Sequence, residues 1–297
     1  MTAGGASPDA GIAPLGREEY VEQAHFFGTL AERLTANVPV QEVLRSVREE
    51  VLATSKLPMA IDFLLAELRH AGVMGTAMAR LPHYFTPLQA YLVSAGEDPR
   101  GRFDMRIGLE VLRRDAQYRA GSPAAGQPPP TRQGLFLFQF EALCRNRLSY
   151  DRGLDAMAAD PAFDEPWRAW LGMLRHKVGM VDLADLIYVH SEHYRRRSAA
   201  AEHDVDGVHD SNAVLFGERE GRIAVANRRK DPLLLFSSLQ RHLGYPEAPR
   251  PEAPRDEELG AEQLARRLEQ LEKRMKLLEE QQRGGIDLTK FYGPPED

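Results

Sequence analysis

Cysteine is almost missing from this chain. Cys144 is the only one in 297 residues, so neither a disulfide nor a cysteine-cluster zinc site can form within one chain. It closes the apolar stretch LFLFQFEALC (135–144), where a buried, inert thiol is expected rather than a nucleophile. Long hydrophobic runs are missing too: none approaches the ~20 apolar residues of a membrane span. The first residues, MTAGGASPDAGIAPLG, have neither the basic nor the apolar region of a secretory signal. A cytoplasmic location without a membrane partner is the expectation.

Lysine is scarce. It occurs only at 56, 177, 230, 273, 276 and 290, which leaves arginine as 32 of the 38 basic residues. The chain carries a net charge of −6, so as a whole it does not attract nucleic acid or an anionic surface. Catalytic signatures are also lacking. There is no GxSxG elbow, no GxxxxGK[ST] phosphate loop and no GxGxxG fingerprint. No cofactor is implied by any of its motifs.

What the sequence does contain is helical periodicity. A hydrophobic fraction of 43% and a charged fraction of 28% suit a globular protein with amphipathic elements. After a Gly/Ala/Pro-rich start (1–16), which is expected to be disordered, residues 17–120 read as a first helical block. Tyr20, Ala24, Phe27, Leu30 and Leu34 recur every three or four positions; so do Leu57, Ile61, Leu64, Leu65 and Leu68. Pro39 fits a first helical turn, and Thr86-Pro87 reads as an N-cap followed by the first helical position.

Residues 121–131 form a Pro-rich linker or loop, and 132–244 a second helical block. Within it, AVLFGEREGRIAVANR (213–228) has two short β-favouring runs around a charged, Gly-containing turn and predicts a small β-hairpin. Asp231 and Pro232 predict another helix start. The fold class expected is mainly α, in two helical blocks arranged as a bundle or array.

YPEAPRPEAPRDEE (245–258) then reads as a Pro-rich tether. A heptad helix follows at 259–283, with Leu264, Leu268, Leu271, Met275 and Leu278 alternating spacings of four and three. With Leu264, Leu271 and Leu278 at d, Arg267 and Arg274 fall at g, and Glu272 and Glu279 at e. In a parallel pair each arginine meets a glutamate of the partner chain, which points to a homodimeric coiled coil. The alternative is a helix packed by its leucines on its own chain. Last comes GGIDLTKFYGPPED (284–297), where Ile286, Leu288, Phe291 and Tyr292 would anchor a docking peptide for a protein partner. Docking in cis is the other possibility.

Three places carry candidate chemistry. Five of the nine histidines lie between 176 and 209, near Asp204, Asp206 and Asp210. Imidazole and carboxylate suit zinc or iron, so a helical enzyme or metal protein with His190 and His193 is the runner-up reading. The spacing carries no HExxH, and His190 shares a helical face with Leu183, Leu186, Ile187 and Tyr194, as a core histidine would. Two Glu-x-x-His pairs, Glu22/His25 and Glu67/His70, fall off the apolar stripes of their helices and are expected to face solvent, which argues against a di-iron core. Finally, the basic clusters Arg195–Arg197 and Arg228–Lys230 support a third reading, nucleic-acid association, although both are short. Together the features favour a non-enzymatic adaptor or scaffold.

Overall fold

Helices account for almost all regular structure among the described residues; Thr86, Asp104, Thr131, Asp164, Asp182 and Asp231 cap their starts with a side chain, and Gly72, Gly121 and Gly244 stand at helix ends. The structure, a computed structural model, describes residues 14–36, 38–121, 128–201 and 213–251. The heptad residues Leu264, Leu268, Leu271, Met275 and Leu278, and the tail residues Ile286, Leu288, Phe291 and Tyr292, lie outside the described residues, as does most of the expected N-terminal and 121–131 linker sequence.

Six helices make the first part: α1 (Arg17–Thr35), α2 (Val40–Glu50), α3 (Leu57–Ala71), α4 (Met74–Ala79), α5 (Pro87–Glu97) and α6 (Met105–Ala120). Neighbours in sequence pack as neighbours in space, and α6 returns to lie along α1. Thr86 caps α5 with a complete capping box: its hydroxyl accepts from the Gln89 N–H, and the Gln89 side chain accepts from the Thr86 N–H. Gln89 then donates to Gln23 Oε1 at 3.0 Å, and Gln23 to the Tyr84 carbonyl at 2.9 Å. The cap thereby becomes a buried polar link from α5 to α1. Pro39 sits one position earlier than expected, as the N-cap of α2.

The second part holds α7 (Arg132–Arg145), α8 (Tyr150–Ala158), α9 (Glu165–Lys177), α10 (Leu183–Val189), α11 (Glu192–Ala201), α12 (Glu218–Asn227) and α13 (Pro232–Leu243). Helix α7 explains how the two parts meet. Every residue from Gly134 to Leu143 is buried, and a helix that is apolar around its circumference has to be enclosed. It packs against α6, α8 and α13, while Phe136 touches Trp167, Trp170 and Phe216 at centroid distances of 5.6, 4.8 and 6.2 Å. One continuous hydrophobic cluster runs from Phe26 to Ala248, in a compact unit that ends at Pro251.

Two expectations are corrected here. The hairpin is absent: Leu215 and Phe216 are extended and make one isolated bridge to Ser191, and Gly217 then opens α12. Glu, Arg and Ala favour a helix, and Gly221 has a packing role that the sequence reading took for a turn. A Cβ on Gly221 would lie 2.3 Å from Ser191 Oγ, so its absence is what lets α12 lie close over the 190–193 segment. The other correction concerns Glu22. It is buried rather than solvent-facing and accepts the Leu52 N–H at 3.1 Å, because the loop after α2 folds over that side of α1.

Candidate functional site

A cleft of about 1040 Å³ lies along the seam of α1 and α6. Its floor contains Ala24 and Gly28 of α1 and Ala120 and Gly121 at the end of α6. Arg113 lies against the Gly28 backbone: a Cβ on Gly28 would come within 3.0 Å of Arg113 Cδ. Arg17, His25 and Glu32 stand on the α1 side, and Arg113, Arg114 and Gln117 on the α6 side.

The third wall is the segment after α13. Gly244 ends that helix at φ +68°, a left-handed turn that favours glycine, and a Cβ there would also strike Pro128 at 2.6 Å. The turn sends Tyr245 inward, where its hydroxyl lies 3.2 Å from Glu141 Oε2 and 3.0 Å from the Phe236 carbonyl oxygen. Arg114 donates to the Glu247 carbonyl at 2.8 Å, and Asn146 to the Pro249 carbonyl at 2.9 Å. Tyr245 and Ala248 are both buried, and Tyr245, Pro246 and Glu247, the first residues of the expected tether, line the cleft. Across the cleft, Arg17 Nε donates to the Ala120 carbonyl at 3.0 Å.

The electrostatics of the wall are self-contained. Glu110 accepts from Arg113 at 2.6 Å through both oxygens and from Arg114 at 2.7 Å. Burial pushes the Glu110 carboxyl up, but these two guanidinium groups outweigh it and hold the carboxyl below its usual range. The cleft therefore has charged side chains along its rim, with Glu110 held by Arg113 and Arg114 on the α6 side.

The other chemistry-bearing residues are dispersed. His190 is buried, with Nδ1 at 2.9 Å from the Leu186 carbonyl oxygen and its ring edge-on to Trp170 at 5.9 Å, as the core reading expects. His193 packs against Tyr188 with ring centroids 6.0 Å apart, and His203, His209 and the acidic residues around them lie outside the described residues. Among the described residues no three His, Cys, Asp or Glu side chains are gathered as a metal site. His25 and His70 are exposed, so neither Glu-x-x-His pair converges on the core.

In the basic clusters, Arg196 pairs with Glu218, and Arg228 pairs with Asp185 at 2.6 Å while lying 4.2 Å from the centre of the Tyr188 ring. Two of the six basic residues in these clusters are thus held in ion pairs. Burial raises the Cys144 thiol to about 11, which removes the thiolate that a nucleophile would need. No helix among the described residues is long and apolar enough to cross a membrane.

No protein family, curated protein or solved structure matches the chain. The cleft was not legible in the sequence because its walls come from residues 17–32, 113–121 and 240–247.

Proposed function

We propose that this chain is a non-enzymatic adaptor. Its helical body receives a segment of a protein partner in the α1/α6 cleft, the 259–283 heptad helix pairs two chains, and Ile286, Leu288, Phe291 and Tyr292 dock a second partner. The observation that carries the reading is the cleft itself: about 1040 Å³, open along a helix seam, walled by a pinned segment and rimmed by Arg17, Arg113, Arg114, Glu32 and Glu247. Pre-formed, rigid walls lower the ordering cost of binding a flexible partner segment. Pairing through the heptads would place two such bodies and two tails together, and avidity would then strengthen weak contacts.

Val21 and Gln117 test this, since both line the cleft and both are exposed. Val21→Trp with Gln117→Trp fills the cleft without entering the core. A partner captured by the intact chain should be lost from the filled variant, and a different one from a chain lacking 284–297. Recovery of the same partners by all three forms would refute the adaptor reading.

A further inference from the structure

Four of the large exposed apolar residues gather on one side of α10 and α13. Met180 is 78% exposed, Val181 41%, Leu233 46% and Leu234 52%. Met180 and Val181 sit on a tight turn before α10 and Leu233 and Leu234 in the first turn of α13, and one carboxylate links the two segments. The first turn folds on the Lys177 carbonyl, which accepts from the N–H groups of Met180 and Val181 at 3.0 and 3.1 Å, with Gly179 at φ +83° at its tip. The second runs through Arg229, a non-glycine residue at φ +56°, into the start of α13. Asp182 caps α10 through the Ala184 N–H at 3.0 Å and accepts the Arg229 N–H at 2.8 Å.

Strained backbone at Arg229 holds the loop in a shape that leaves every residue from Arg229 to Leu234 exposed. Cations accompany the apolar tips. Lys177, Arg229 and Lys230 are exposed, and among the described residues their side chains form no ion pair. Of the nearby acids, Asp185 pairs with Arg228 at 2.6 Å, while Asp182 and Asp231 bond backbone N–H groups and keep their charge, so the three cations outnumber the two carboxylates that lack a cationic partner.

We propose that these two turns are a contact surface for an anionic phospholipid bilayer, with Met180, Val181, Leu233 and Leu234 entering the interface and Lys177, Arg229 and Lys230 meeting the headgroups. Two signals of this kind, apolar insertion and basic attraction, are what stable interfacial binding requires. The net charge of −6 belongs to the whole chain, whereas headgroup attraction acts within a Debye length of the turns. A second copy of the chain fits less well, because a two-fold contact would set Arg229 and Lys230 against their own equivalents. A peptide would need a groove, and consecutive exposed residues on adjoining turns make a convex knob. The inference is independent of the cleft and of the adaptor reading.

Sedimentation of the full chain with phosphatidylcholine vesicles, with and without phosphatidylserine, tests it. The chain should sediment only with the phosphatidylserine-containing vesicles and be released by added salt. Met180→Glu with Leu234→Glu, or Lys177→Glu with Lys230→Glu, should each weaken partitioning by about tenfold or more. Circular dichroism should show all variants as helical as the parent, and an unfolded variant is replaced by Met180→Ser with Leu234→Ser. A chain left in the supernatant at every composition overturns the proposal and leaves the knob to a protein partner. Variants that partition like the parent overturn it equally.

Discussion

Arg119 and Asp160, 41 residues apart, face each other in the interior with Nη2 2.5 Å from Oδ2 and Nη1 3.3 Å from Oδ1. The same guanidinium donates from Nε to Asp115 Oδ2 at 2.6 Å and lies 5.7 Å from the centre of the Tyr20 ring. Gln139 Nε2 donates to Asp115 Oδ1 at 2.8 Å, and the Ala162 N–H to Asp160 Oδ1 at 2.9 Å. Every carboxylate oxygen thus has a donor. The network ties α1, α6, α7 and the loop after α8 at one point, with side chains 5% exposed or less at Arg119, Asp115 and Asp160.

A buried network, here with Gln139 Oε1 left without a hydrogen-bond partner, is weak evidence of net stability, but breaking one side of it is costly. Arg119→Met strands two buried carboxylates, and we expect it to destabilise the fold by about 3–5 kcal/mol. Urea melts read this directly. The double change Arg119→Met with Asp160→Asn should cost less than Arg119→Met alone, since it removes one of the stranded charges. Equal or greater loss in the double variant would contradict the network.

Glu141 gives a pH test. Burial raises its carboxyl above the usual value, against the opposing pull of the Arg145 guanidinium at 2.6 Å. The folded state therefore holds this proton more tightly than the unfolded chain does. Its contribution is full below the unfolded carboxylate value and falls as pH rises through the folded one. Glu141→Gln removes that dependence, so the stability of the variant relative to the parent should improve as pH rises from the acid side toward neutrality. Paired melts across this range check the sign, and a relative decline with pH would refute it.

Cys144 is the one thiol in the chain, so its chemistry can be read without ambiguity. Burial lifts it to about 11, with the Tyr150 hydroxyl pulling weakly the other way and the Glu141 charge adding to the rise. Alkylation of the native chain should be slow at neutral pH and climb until pH reaches about 11. In denaturant the thiol should react like an ordinary cysteine. Fast native reaction at neutral pH would show that the site is open.

How far the fold could be read depended on the range of the interaction that decided each element. The starts of α5 and α13 were legible because Thr86 and Asp231 cap within three residues of themselves. Residues 213–228 were misread because AVLF and IAV favour strands locally, while the packing of Gly221 against Ser191 is tertiary. Gly221→Val follows from this. Its side chain would collide with Ser191 and His193, and we expect it to destabilise the fold by about 1–3 kcal/mol in chemical melts. A neutral substitution would mean that α12 packs otherwise. The cleft and the Arg119 network were illegible for the same reason: each is made by segments that only the fold brings together.

The heptad reading at 259–283 rests on a pattern in which charge specifies geometry as much as leucine does. Deleting 259–283 should halve the mass measured by light scattering, but any interface within that stretch predicts as much. Charge reversal is more discriminating. Arg267→Glu with Arg274→Glu sets glutamates against Glu272 and Glu279 of a parallel partner, and should weaken the dimer. Adding Glu272→Arg and Glu279→Arg restores opposite signs with every position inverted, and should restore the dimer. A helix packed on its own body has no reason to respect that pairing, because its charged edges would face residues that were not exchanged. Recovery in the fourfold variant therefore identifies a parallel coil, whereas a mass that is monomeric throughout, or dimeric throughout, refutes it.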